Sequence, residues 1–188
     1  MADQLDFFDA TPAFPVGFKY QREIITLKAE RTLLAEIRKL PFKEFEFHGH
    51  VGKRRTVSFG WAYDFSSEHL LPADEMPLFL LTTRQTAADF AGLAAEELQQ
   101  VLVTEYSPNA GIGWHRDKAV FGDVIGISLL SSCPFRLRRQ LGEKWQRVTV
   151  EAEPRSAYLL SGVARTQWEH SIPPVDSLRY SITYRTIA

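Results

Sequence analysis

Apolar side chains recur about every three or four residues through TLKAERTLLAEIRKL, at Leu27, Leu34, Ile37 and Leu40. That spacing lines one face of a helix. TTRQTAADFAGLA predicts a second helix, with a threonine near its N-cap. The opening ADQLDFFDATPAFPVGF has two prolines and little period, and reads as an extended lead-in. Between the helices, FKEFEFHGHVGKRRTVSFGWAYDFSS alternates aromatic with polar residues, a pattern of short strands and a glycine-punctuated loop.

Beyond Gln99 the pattern becomes one of strands, with QVLVTEY, VIGISLLSS, FRLRRQ, WQRVTVEA, SAYLLSG and LRYSITYRT separated by Gly, Pro and Asn turns. QLGEKW suits a hairpin between two of them. Two helices followed by six or more short strands predict an α+β fold. The strands would form a sandwich or jelly roll, with the helices buttressing one sheet. At 188 residues, without internal repeats, one domain is expected: residues 1–98 as an N-terminal extension and 99–188 as the core.

The final predicted strand carries the sharpest polarity. Arg179, Ser181, Thr183 and Arg185 share one face, and Tyr180, Ile182 and Tyr184 the other. Two readings stand open. Either this is an edge strand with a solvated arginine face, or two guanidinium groups about 20 Å apart at full extension line a cavity that holds an acidic ligand.

Composition narrows the field. A net charge of −1 with 45% hydrophobic residues describes an ordinary globular chain, so nucleic acid would have to be met by a local patch. The single cysteine, Cys133, cannot form an intrachain disulfide and reads as a buried structural thiol. No signal peptide or long apolar run stands out, so a cytoplasmic, membrane-free monomer is expected.

Candidate chemistry gathers at GIGWHRD. On an extended segment His115 and Asp117 point the same way and can reach one ion. Among the five histidines, His170 lies in WEHSIPP, nine residues before Arg179. Two histidines and a carboxylate make the facial triad of non-haem Fe(II) oxygenases, although zinc accepts the same donors. An arginine able to hold the far carboxylate of 2-oxoglutarate favours iron.

Through EYSPNAGIGWHRDK, WEHSI and RYSITYR the chain resembles the AlkB family of Fe(II)- and 2-oxoglutarate-dependent dioxygenases. The resemblance covers roughly residues 40–186 and is strongest from Val101 onward. It implies a double-stranded β-helix (jelly-roll) core and an N-terminal nucleotide-recognition lid. It also implies Fe(II) held by His115, Asp117 and His170, with 2-oxoglutarate and O2 as co-substrates. Arg179 would pair with the distal carboxylate of 2-oxoglutarate, helped by the Tyr106 hydroxyl. Arg185 would lie nearer the metal, completing the catalytic set, and Thr104 stands where many relatives have an asparagine touching 2-oxoglutarate. The implied reaction is oxidative demethylation of N-alkylated bases in nucleic acid, releasing succinate, CO2 and formaldehyde. The same chemistry on protein side chains, RNA or a small molecule stays open.

The implied lid is KRRTVSFGWAYDF, a basic run followed by Phe59, Trp61 and Tyr63 at alternate positions. Alternation would put the three rings on one face, either stacking on an extruded base or packing on the core. Arg54 and Arg55 would pair with phosphates of single-stranded or duplex DNA, or of RNA. FRLRRQLGEKWQR is a second basic stretch, readable as a backbone-binding stripe or as a solvated hairpin. Repair members of the family carry an acid two positions after the metal-binding aspartate, where this chain has Ala119.

Overall fold

The computed structural model describes residues 14–47 and 50–188, so most of the predicted lead-in, together with His48 and Gly49, lies outside it. In chain order the elements begin with β1 (Phe18–Gln21), α1 (Leu27–Ile37), β2 (Lys43–Phe47) and β3 (His50–Phe59). Then come β4 (Trp61–Asp64), β5 (His69–Pro72), α2 (Leu78–Ala91), β6 (Gln100–Tyr106) and β7 (Ile112–His115). The remainder are β8 (Phe121–Leu129), β9 (Cys133–Leu141), β10 (Lys144–Ala152), β11 (Ala157–Leu160), α3 (Gly162–Gln167), β12 (Glu169–Ile172) and β13 (Arg179–Ile187).

Antiparallel pairing builds a seven-stranded sheet in the order β1-β11-β8-β13-β6-β3-β2 and a second sheet in the order β10-β9-β12-β7, with β4 and β5 as a separate hairpin. The result is an α+β jelly roll. One face of the large sheet packs on the helices, where Leu33, Leu34 and Ile37 of α1 and Leu80 and Ala87 of α2 meet Val103, Ile127, Ile182 and Tyr184. Its other face packs on the second sheet through Tyr106, Val124, Tyr158 and Leu160 against Phe135, Leu137 and Val148.

β13 lies between β8 and β6, which rules out the edge-strand reading. Its apolar set faces the helices, and Arg179 on the opposite face is 1% exposed. The QLGEKW hairpin forms as expected around Gly142, whose φ of 58° suits a tight two-residue turn.

Two helix details differ from the sequence reading. Helix α2 begins at Leu78, with Pro77 at the N-cap position and no side-chain cap. The predicted threonine cap is therefore wrong. Four consecutive apolar residues, Leu78–Leu81, carry no 3.6-residue period, and Thr83 instead donates its hydroxyl to the Phe79 carbonyl inside the helix. On α1, Leu27 is half exposed, and the buried stripe runs through Glu30, Leu33, Leu34 and Ile37.

Glu30 is a buried acid with a structural task. Its carboxylate accepts from the Leu130 backbone N–H at 2.9 Å and from Arg155 Nη1 at 3.2 Å. Both partners are non-glycine residues in the left-handed region, with φ of 73° and 67°. The helix thus fixes two strained turns at once. We expect Glu30→Ala to cost about 2–3 kcal/mol, lowering the melting temperature by roughly 5–10 °C, with Glu30→Gln retaining part of the loss; thermal denaturation followed by circular dichroism measures both.

Candidate metal centre

Strand pairing sets His170 of β12 directly opposite His115 of β7, and their rings lie 4.2 Å apart. Asp117 follows β7 and turns its Oδ1 toward both, 3.5 Å from His115 Nε2 and 3.7 Å from His170 Nε2. The three donor atoms fall within 4.8 Å of one another. His115 donates from Nδ1 to the Gly113 carbonyl at 2.9 Å, which leaves Nε2 as a lone-pair donor toward the centre.

Electrostatics keep these groups in ligand form. Burial pushes the His170 imidazole down to about 3, helped by His115 and by Arg185 and Arg165, against the opposing pull of Asp117. Burial alone would raise the Asp117 carboxyl; the Arg185 guanidinium leads the effects that outweigh it, and the carboxyl is held well below its ordinary value. Arg185 does this by direct contact, its Nε 2.8 Å from Asp117 Oδ2, while its Nη1 is held at 2.8 Å by Gln100. A neutral His170 imidazole and a charged Asp117 carboxylate suit a divalent cation such as Fe(II).

Along the same face of β13 stands an unmet charge. Arg179 is buried, and its Nη2 bonds Ser128 Oγ at 3.1 Å, yet among the described residues Nε and Nη1 have no partner. Its guanidinium sits 4.8 Å over the Tyr106 ring, and Thr104, opposite Ser181, lines the same face. Buried guanidinium N–H groups without partners are costly unless an anion completes them. A dicarboxylate reaching from the metal to Arg179 would do so.

Sequence reasoning missed Tyr158. Its phenol lies over Gly126, where an added Cβ would come within 2.2 Å of the ring. Tyr158 stacks on Phe135 at 4.2 Å, and Phe135 on His170 at 5.5 Å. Burial, with Tyr106 and Asp117 adding to it, raises the phenol further above its ordinary range, so it stays protonated beside the arginines. The available signal was the glycine within VIGIS, a mark of close approach inside a strand. Arg165 was also missed: buried on α3, it donates to the carbonyls of Lys118, Phe121 and Gly122 and pins the loop that follows Asp117.

The expected lid residues separate. Gly60, with φ of 75°, bends the chain so closely past the Gln99 carbonyl that a Cβ would meet it at 2.1 Å. Phe59 therefore stays in the core against the helices, and the expected shared face with Trp61 and Tyr63 is corrected. Trp61 and Tyr63 leave on the β4–β5 hairpin, opposite Pro72 and Leu70. Tyr63 lies 6.4 Å from the Phe121 ring and 5.3 Å from Lys118 Nζ, beside the ligand loop. Arg54 and Arg55 alternate across β3. Arg54 stands opposite Tyr106 and reaches the Gly111 carbonyl at 3.4 Å, on the site's side of the sheet. Arg55 points to the helix side and pairs with Glu105 at 2.7 Å.

Comparison with known proteins follows the same lines. The family model described as the 2OG-Fe(II) oxygenase superfamily matches residues 28–185. The "Alkylated DNA repair protein ALKBH8 homolog" of Arabidopsis thaliana is 26% identical over 190 residues, which are 87% of this chain and 53% of that protein. The chain thus spans about half the length of that plant relative. Among solved structures, OsALKBH1 superimposes with a TM-score of 0.67 at 15% identity, covering 90% of this chain and 96% of that one. A prolyl-4-hydroxylase from Pseudomonas putida gives 0.61 at 14% identity, covering 92% and 93%.

A pH effect follows from His170. Its imidazole titrates near its ordinary value of 6.5 in the unfolded chain but at about 3 when folded. The stability it contributes is complete above 6.5 and is lost as pH falls, because the unfolded state protonates first. We expect melts of the metal-free protein to show stability declining from about pH 7 toward pH 4. A His170→Gln variant should flatten that decline, and side-chain NMR should find the His170 ring neutral at about pH 5.

Proposed function

Because this chain belongs to the 2OG-Fe(II) oxygenase superfamily, and so is an oxidoreductase using Fe(II), 2-oxoglutarate and O2, we propose that it demethylates N-alkylated bases in nucleic acid. The observation that carries the co-substrate side is the buried, incompletely paired Arg179 on the same strand face as Arg185 and the histidine-aspartate cluster. The observation that favours a base as substrate is the aromatic and basic group beside the ligand loop, where Tyr63 and Phe65 lie with Lys118 above their rings. The name of the Arabidopsis relative points the same way.

In this reading His115, Asp117 and His170 hold Fe(II). Arg179 receives the distal carboxylate of 2-oxoglutarate, with the Tyr106 hydroxyl and Thr104 beside it. Arg185 fixes the Asp117 carboxylate through Oδ2, which leaves Oδ1 directed at the metal. When bound, Fe(II) with 2-oxoglutarate and O2 supplies an oxidising centre that yields succinate and CO2 and hydroxylates an N-methyl carbon, whose hemiaminal then releases formaldehyde. The protein contributes position, charge and exclusion of water. A base would enter extruded from its stack, against Tyr63 and Trp61 of the β4–β5 lid, with Arg54 on the site's side of β3. We take residues 99–188 as the core of a single domain, its large sheet completed by β1, β2 and β3 from the N-terminal 98 residues, which also carry α1, α2 and the β4–β5 hairpin.

A second reading keeps the chemistry and changes the substrate to a protein side chain or a small molecule. Ala119 favours it, because no acid stands there to meet an exocyclic nitrogen, and so does a net charge of −1.

The decisive assay adds Fe(II), 2-oxoglutarate and a panel of methylated DNA and RNA oligonucleotides and measures formaldehyde. Release from at least one is the expected result; succinate formed with a protein extract, with no formaldehyde from any oligonucleotide, would favour the second reading. His115→Ala should lower metal affinity and turnover by more than about 100-fold. Arg179→Met should weaken 2-oxoglutarate binding by about 3–5 kcal/mol, read by calorimetry with Mn(II) in place of iron.

A further inference from the structure

The outer face of the second sheet carries a feature the reaction does not use. Arg138 is held between two indoles, its guanidinium 4.3 Å from the Trp145 ring and 4.4 Å from the Trp114 ring. The row continues at both ends, with Arg147 at 5.9 Å from Trp145 and Arg136 at 5.1 Å from Trp114. Arginine and tryptophan therefore alternate across β10, β9 and β7 on the side facing away from the metal ligands.

Three properties of this row point to an anionic polymer. Arg147 and Arg138 are direct cross-strand neighbours, and like charges so placed destabilise a sheet unless something offsets them. The indoles do so in part through cation–π contact. Second, the arginines are held in place with bonding capacity to spare. Arg138 gives its Nε to Glu169 at 2.6 Å and Arg136 its Nε to Ser171 at 3.1 Å. Among the described residues, the terminal nitrogens of neither have a hydrogen-bond partner, and Arg147 has no acid beside it. Third, Glu169 is the acid within the row, with Glu151 lying beyond Thr149 at the far end, so the face is basic on a nearly neutral chain. The exposed ring of Trp145 adds a stacking surface.

The row lies on the outer face of the strands whose inner face carries the metal ligands. Trp114 precedes His115, and Glu169 precedes His170. A surface cavity of about 390 Å³ is lined by Arg138, Arg139, Trp145, Glu169, Gln167 and Arg116. Arg116 lies between the two ligands of the His115–Asp117 pair.

We propose that this alternating row is a binding track for single-stranded nucleic acid, the guanidinium edges meeting phosphates and Trp145 stacking on a base as the strand leads past Arg116 to the metal centre. The choice of occupant rests on the demethylase reading. Guanidinium planes covered by indoles present their N–H edges outward, the geometry that phosphate oxygens accept.

The test measures binding of an unmethylated fluorescent DNA strand of about twelve nucleotides, by anisotropy across a salt series, to the full chain and to Trp145→Ala and Arg147→Ala. Both side chains are exposed, and circular dichroism confirms folding. Trp145→Ala should weaken binding about tenfold, and Arg147→Ala should reduce the salt slope by about one. Turnover of a methylated mononucleoside, too short to reach the row, should be unchanged in both. Unaltered affinity and slope overturn the track, as does polyglutamate binding as tightly as the strand with no effect of Trp145→Ala. If the variants lose strand binding while the wild type releases no formaldehyde from methylated oligonucleotides, the track stands and the demethylase reading fails. If formaldehyde is released and the variants bind like wild type, the track alone fails.

Discussion

Every second residue of β13 has to face the second sheet, and the residues that do so are Arg179, Ser181, Thr183 and Arg185. Because β13 sits in the middle of the large sheet, the alternation cannot slip by one residue without driving two arginines among the helices and exposing Tyr180, Ile182 and Tyr184. The helix core and the acid pocket are thus two faces of one register. Tyr184 illustrates the lock, burying its ring under α2 and donating its hydroxyl to the Leu80 carbonyl at 2.7 Å.

Charge is distributed along that strand in two different states of completion. Arg185 is matched, with Asp117 and Gln100 taking its N–H groups. Arg179 is not, and among the described residues its two buried nitrogens over the Tyr106 ring have no partners. A complete pair stabilises the fold and orients a carboxylate, whereas an incomplete one stores affinity for an acid that is yet to arrive. The stacked series Tyr158, Phe135 and His170 links the ring over Gly126 to the metal-ligand cluster by direct packing.

Much of this was legible in the sequence where a rule of period or spacing applied. His115 and Asp117 two apart, a distant His170 and the polar face of RYSITYR gave a set of residues that the fold brings together. The C-terminal boundary of β6 was legible because the turn residues SPNAG follow QVLVTEY. What escaped depended on where the backbone goes. Alternation through SFGWAY assumed a continuous strand, and Gly60 ends it, sending Phe59 and Tyr63 to different neighbourhoods. Arg54 and Arg55 look equivalent in a basic run but stand on opposite faces of β3, and only the presence of Glu105 on one side distinguishes them. Tyr158 belonged to an apolar run, and nothing local separates a core tyrosine from one that lines a pocket.

The place of β13 also governs how the molecule can be assembled. Its neighbours β6 and β8 both precede it in the chain, and it joins β1-β11-β8 on one side to β6-β3-β2 on the other. Without it the large sheet is two pieces with open edges, and the helices have only part of their apolar floor. Such long-range closure slows folding and leaves unpaired strands that invite aggregation or capture by chaperones. The arginines that serve the pocket sit on the strand that joins the two parts, so a chain without β13 in place can offer neither a finished core nor a finished acid site.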